Sequence, residues 1–123
     1  MGKLTTHVLD TARGCPGAGI AIRLFRIDSE ADTGARPHTP VAAATTNADG
    51  RCEHPLLEGS ALTTGRYELV FAAGEYFRAQ GLNLAEPLFV DEVVLRFGIA
   101  DASAHYHVPL LVSPWSYSTY RGS

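Results

Sequence analysis

His7, His105 and His107, with Arg51, Arg121, Tyr120 and Ser123, are the residues of this chain whose types suit proton transfer and polar recognition. An imidazole titrates at about 6.5, so His7 or His107 can take a proton from water and give it back near neutral pH. Arginine stays charged there and presents a planar fork of donors. That fork suits carbonyl and anionic oxygens. Tyr120 can donate a hydrogen bond, and Ser123 offers a hydroxyl or a carboxylate. Such groups can serve reactions that need a base for water and donors for a developing oxyanion. Covalent catalysis is not indicated, because there is no Gly-X-Ser-X-Gly elbow and neither Cys15 nor Cys52 sits in a nucleophile signature. Water is the expected nucleophile.

Plainer readings exist for each residue. Alternate residues of a strand share a face, so His105 and His107 could converge on one metal with His7 as a third ligand. No carboxylate or thiolate stands near the pair in sequence, and neither a metal nor another cofactor is expected. Parity alone does not separate His105 from His107. His38 and His54 lie in polar, loop-like contexts and are expected to be solvated. Cys15 and Cys52 form neither a disulfide framework nor a metal-binding spacing, so both are expected to remain thiols. Arg51, directly after Asp49-Gly50, would by itself pass as an ordinary turn charge.

The elements that must position these residues are mostly strands. In the run from His105 to Val112, Tyr106, Val108, Leu110 and Val112 share an apolar face opposite His105, His107, Pro109 and Leu111. Pro109 cannot donate to a ladder, which predicts an edge strand or one facing an opening. Tyr117, Thr119 and Tyr120 suit a pleated surface and predict a docked terminal strand rather than a loose tail. Further strands are expected over Leu4–Asp10, Ile20–Ile27, Val41–Thr46, Arg66–Ala72 and Leu88–Phe97, with a short one from Arg51. Asp28–Thr39 reads as a loop, Asn47–Gly50 as a hairpin turn, and Glu75–Gln80 before Gly81 as the single helix. About eight strands and one short helix predict an all-β, two-sheet sandwich.

Length and charge narrow the class. At 123 residues the chain fits one domain. Ten Lys and Arg against thirteen Asp and Glu give a net charge of -3, which argues against nucleic acid or an anionic membrane as partner. No apolar run approaches the roughly 20 residues that cross a bilayer, and Met1–His7 lacks the apolar core of a signal peptide, so a cytoplasmic location is expected.

Three pieces of the sequence carry a family resemblance. They are Leu4–Gly17 with its Val-Leu-Asp, Arg-Gly and Pro, the turn Asn47–Arg51, and His105–Ser123 with Leu-Leu-Val-Ser-Pro-Trp-Ser-Tyr-Ser-Thr. Together they resemble the transthyretin-like proteins and, more narrowly, the 5-hydroxyisourate hydrolases. His7, Arg51, His107 and the ending Tyr120-Arg121-Gly122-Ser123 mark the hydrolase side of that resemblance. Trp115 stands where the family more usually has Tyr, and nothing catalytic depends on it. The resemblance implies a prealbumin-like sandwich assembled as a homotetramer, with active sites in a channel where two dimers meet. It implies hydrolysis of 5-hydroxyisourate, a purine-derived small molecule, to the ring-opened ureidoimidazoline carboxylate of urate breakdown. It also assigns catalysis to His7, Arg51 and His107 and binding to Tyr120, Arg121 and Ser123, and with His107 so selected a structural or rim role is expected for His105. The alternative is a carrier that holds a small aromatic ligand in the same channel without turnover. Channel polarity separates the two, since a carrier site for an apolar ligand is lined mainly by hydrophobic groups.

Overall fold

Strict alternation of buried and open positions along Lys3–Asp10 (β1) marks a strand with one face in the core, and the same period recurs through the chain. The computed structural model describes residues 2–27 and 38–122. After β1 come Cys15–Pro16 (β2), Ala21–Ile27 (β3), His38–Thr45 (β4), Leu57–Glu58 (β5), Gly65–Phe71 (β6), the helix Ala73–Ala79 (α1), Val93–Ile99 (β7), His105–Val112 (β8) and Tyr117–Thr119 (β9). One sheet runs β2-β1-β8-β9, with β5 also on β1; the other runs β4-β3-β6-β7. Between them lie Leu4, Val8, Ile22, Leu24, Leu69, Phe71, Val93, Leu110 and Val112, nearly all fully buried. Burying each such side chain is worth about 1.5–3 kcal/mol. The two-sheet sandwich with one helix is as expected.

Among the described residues all strand pairs are antiparallel except one. Strand β1 pairs in parallel with β8, placing Lys3 opposite His105, Thr5 opposite His107 and His7 opposite Pro109. On the core side of this pair the Thr6 hydroxyl donates to the Val108 carbonyl at 2.6 Å, which satisfies a polar group that would otherwise be costly to bury. Asp10 closes the end of β1. Fully buried, it accepts from the Ala12 and Arg13 amides and, at 2.7 Å, from the Tyr76 hydroxyl of α1.

Several local expectations are revised. Asn47–Gly50 does turn the chain, with the Asn47 side chain accepting from the Asp49 and Arg51 amides, but it closes no hairpin. Strand β4 pairs with β3, whereas Arg51 crosses to the other sheet and makes a single bridge to His7. Gly50 permits the crossing: its φ is +74°, its carbonyl accepts from the Val8 amide at 2.8 Å, and a Cβ there would lie 2.4 Å from the Val8 carbonyl oxygen. The strand expected from Leu88 starts only at Val93, because Val90 donates to Pro114 and Asp91 accepts from Gly74, so those amide and carbonyl groups serve neighbouring turns instead of a ladder. The helix begins two residues before Glu75, at Ala73.

His38 is not a solvated loop residue. It opens β4, with its ring edge-on to Phe25 and its Nε2 3.4 Å from a Glu68 carboxylate oxygen. The rest of the expected loop, residues 28–37, lies outside the described residues, as does Ser123. Pro109 is also placed differently, for its strand is internal and pairs with both β1 and β9. The register that joins Leu110 to Thr119 and His107 to Gly122 puts Pro109 opposite Tyr120. The ladder lapses there, and the Thr119 hydroxyl instead donates to the Pro109 carbonyl at 2.7 Å. Strand β9 docks by its backbone, while Tyr117 and Tyr120 remain exposed. Among the described residues no helix is long and apolar enough to cross a membrane.

Gly50→Ala tests the crossing. Left-handed backbone costs an L-residue about 1–2 kcal/mol before the clash with Val8 is counted. The melting temperature is therefore expected to fall by at least about 5 °C, as read by calorimetry.

Candidate active site

Because Leu4, Thr6 and Val8 of β1 and Tyr106 and Val108 of β8 turn inward, Thr5, His7, His105 and His107 must stand together on the outer face of the same sheet. Their side chains meet in a continuous chain of contacts. His7 Nδ1 lies 2.8 Å from His107 Nε2, and His107 Nδ1 lies 2.7 Å from Thr5 Oγ1. Thr5 Oγ1 in turn lies 3.0 Å from His105 Nε2. The two catalytic candidates approach edge to edge, with ring planes 19° apart and centroids 4.9 Å apart, so an in-plane N–H of one ring can point at the lone pair of the other.

Arg51 completes this group from the opposite side of β1 through its bridge to His7. An open cleft of ≈ 490 Å³ beside the imidazoles is lined by Thr5, Arg51, Cys52, His54, His105 and His107 but not by His7. Partial burial holds the pKa of His7 below the ordinary 6.5, and the Arg51 guanidinium adds to the effect. His107 is lowered too, by burial first and then by repulsion from His7, Arg51 and His105. Both rings are consequently neutral at pH 7, the form in which a nitrogen lone pair can accept a proton. Burial pushes the Cys52 thiol up and so away from thiolate chemistry; Cys15 and Cys52 are both free.

The structure thus gathers His7, Arg51 and His107, with His105 exposed at the edge of the group. Tyr120 and Arg121 do not join it within one chain. The Arg121 guanidinium sits 4.2 Å over the Tyr106 ring and donates to the His105 carbonyl at 3.4 Å. With Tyr120 it lines a second cleft that also includes Val94, Phe97 and Thr119. His54 is exposed, as expected, yet it borders the imidazole cleft. Among the described residues no cluster of His, Cys, Asp or Glu is arranged to hold a metal ion.

Two contributors went unnoticed in the sequence. Thr5 shares the parity of His7, so its face was readable, but its contacts with two imidazoles depend on the register with β8. Gly122 is the other. Its amide donates to the His107 carbonyl at 2.7 Å, and a Cβ there would lie 3.1 Å from His107 Cδ2, so the lack of a side chain leaves room for the ring. Gly122→Ala is expected to displace that ring and lower turnover while leaving the melting temperature within about 2 °C. In an NMR titration His7 and His107 should both show midpoints below 6.5, and Arg51→Gln should move both midpoints upward.

Known proteins resemble this chain over nearly its whole length. The profile of the HIUase/Transthyretin family matches residues 4–122. A 5-hydroxyisourate hydrolase of Ralstonia nicotianae is 63% identical, with all of both chains aligned. One from Pseudomonas aeruginosa is 58% identical over all of this chain and 93% of its own length. Among solved structures, a Klebsiella pneumoniae 5-hydroxyisourate hydrolase superposes with a TM-score of 0.77 at 31% identity, covering both chains in full. An (S)-allantoin synthase gives 0.89 at 48% identity over 99% of this chain, which spans only 44% of that larger one. Matched by the family profile over residues 4–122 and 63% identical to a full-length relative, this chain belongs to the HIUase/Transthyretin family.

Proposed function

We propose that this chain hydrolyses 5-hydroxyisourate to 2-oxo-4-hydroxy-4-carboxy-5-ureidoimidazoline, with His7, His107 and Arg51 as its catalytic group. The observation that carries the reading is the 2.8 Å contact between the His7 and His107 imidazoles, with the guanidinium of Arg51 close enough to lower the pKa of both. Water attacks a ring carbonyl carbon while the imidazole pair removes one of its protons. Negative charge then grows on the carbonyl oxygen, where the Arg51 guanidinium can meet it with a charged donor. The C–N bond breaks as the leaving nitrogen takes the proton back from the pair, and the new carboxylic acid ionises. A carrier role is less suited to this face, since Arg51, His54, His105 and His107 line its cleft with ionisable groups.

The remaining elements of the reading are a single domain over residues 1–123, a homotetramer, and action in the cytoplasm on a small purine-derived substrate. Tyr120, Arg121 and Ser123 are proposed as substrate binders in the assembled channel. Exposed Tyr117, Tyr120, Trp115 and Val94 supply apolar surface of the kind that association covers. Light scattering should return four times the 13.2 kDa chain mass.

Turnover is tested by following absorbance decay of freshly generated 5-hydroxyisourate. His7→Ala and His107→Ala are each expected to lower kcat by roughly 10²–10⁴-fold, the usual reach of general acid–base catalysis. Arg51→Ala should cost on the order of 10²-fold or more, as for loss of an oxyanion donor. Both imidazoles accept protons below 6.5, so the rate should be level through neutral pH and fall as the pH drops below that value. Wild-type protein that leaves the spontaneous decay rate unchanged would overturn the reading.

A further inference from the structure

We propose that Thr5 and His105 extend the imidazole pair into a proton wire, His7–His107–Thr5–His105, which parks the proton taken from water on the exposed ring and returns it to the leaving nitrogen. The inference rests on the hydrolase reading above and concerns how its proton is handled. Three consecutive contacts of 2.8, 2.7 and 3.0 Å link the four side chains without a gap.

The Thr5 hydroxyl gives the wire its direction. It holds one proton and stands between two ring nitrogens, so it donates to one and accepts from the other. When His7 Nδ1–H donates to His107 Nε2, the His107 proton sits on Nδ1 and donates to Thr5 Oγ1. The Thr5 O–H then donates to His105 Nε2. In this polarity His7 Nε2 is a bare lone pair, ready to act as base, and among the described residues it has no competing hydrogen-bond partner. With the opposite polarity, His7 Nε2 carries a proton and is an acid.

Each half of the reaction switches the polarity once. As water attacks, its O–H bond breaks and a new N–H bond forms at His7 Nε2. The Nδ1 proton of His7 passes to His107 Nε2, the Nδ1 proton of His107 to Thr5 Oγ1, and the hydroxyl proton of Thr5 to His105 Nε2. His105 is then an imidazolium, and the substrate adduct holds the balancing oxyanion. When the C–N bond breaks, the leaving nitrogen takes the proton from His7 Nε2 and every link passes one proton back. His105 ends neutral, the wire regains its starting polarity, and the acid product releases its own proton to water. Protons balance, and no oxidant or second reactant is required.

The location of His105 explains what the extension achieves. A positive charge kept on His7 or His107 would stand partly buried beside Arg51, where both burial and repulsion oppose it. His105 is exposed at the end of the chain of contacts, so water screens the transferred charge from Lys3, which is opposite it in the register, and from Arg51. Thr5 is β-branched and therefore restricted at χ1, which helps to keep its hydroxyl between the two rings.

The test measures kcat and KM for wild type, Thr5→Val, Thr5→Ser and His105→Ala, each with an unchanged circular dichroism spectrum and assembly state. Thr5→Val, which keeps the shape and removes the hydroxyl, should lower kcat about tenfold or more with KM within about twofold. Thr5→Ser should recover kcat to within about threefold of wild type. His105→Ala should lose kcat similarly and regain it as free imidazole is titrated in, while Thr5→Val, whose link is broken upstream, should not respond. If Thr5→Val and His105→Ala turn over at the wild-type rate while His7→Ala is inactive, the wire is wrong and the hydrolase reading stands. Equal losses in Thr5→Val and Thr5→Ser, or a His105→Ala loss that imidazole leaves unchanged, would assign these residues a structural role and also overturn the wire. Wild type without hydrolase activity would instead remove the reading beneath it.

Discussion

The parallel pairing of β1 with β8 is the constraint on which the site depends. These strands lie near opposite ends of the chain, and the register that sets Thr5 against His107 and Lys3 against His105 is what lets Thr5 and His7 reach rings carried by a strand roughly a hundred residues away. Strand period is two, so a slip of one residue would send the imidazoles into the core and Tyr106, Val108 and Leu110 into water. Burial of those apolar residues, with Leu4 and Val8 across from them, opposes any such slip. The hydrophobic core and the outward site are two faces of a single pairing.

Electrostatics then follow from placement. Two imidazoles that share a hydrogen bond next to a permanent guanidinium cannot readily hold a proton as well, and partial burial acts in the same direction. The result is an imidazole pair held toward its neutral form beside a permanently charged side chain. A carboxylate in the place of Arg51 would raise the imidazole pKa values and favour the protonated form.

The backbone around the site is shaped by two glycines for different reasons. Gly50 adopts a conformation that other residues resist, and this allows the chain to leave β4 and place Arg51 against His7 on the other sheet. Gly122 has an ordinary backbone and matters through its size, since its neighbour is the His107 ring. Arg51 and the terminal segment thereby flank the imidazole pair, although the Arg121 side chain turns away onto Tyr106.

Much of the fold was legible from alternation alone: the faces of β1, β3, β6 and β8, the short helix before Gly81, and the docked final strand follow from local periodicity and turn chemistry. Periodicity also separated His7, His105 and His107 from the core, because side-chain direction in a strand is a local property. It did not reveal which strands are neighbours. The hairpin expected at Asn47–Gly50, the edge half of the expectation for Pro109 and the solvated place expected for His38 all failed for that reason, each depending on a partner strand distant in sequence. Family resemblance, not spacing, singled out Arg51 and favoured His107 over His105. Only the tertiary structure decided that Thr5 joins the two rings and that Tyr120 and Arg121 occupy another cleft, since strand register is settled by the packing of a whole core rather than by any local stretch of residues.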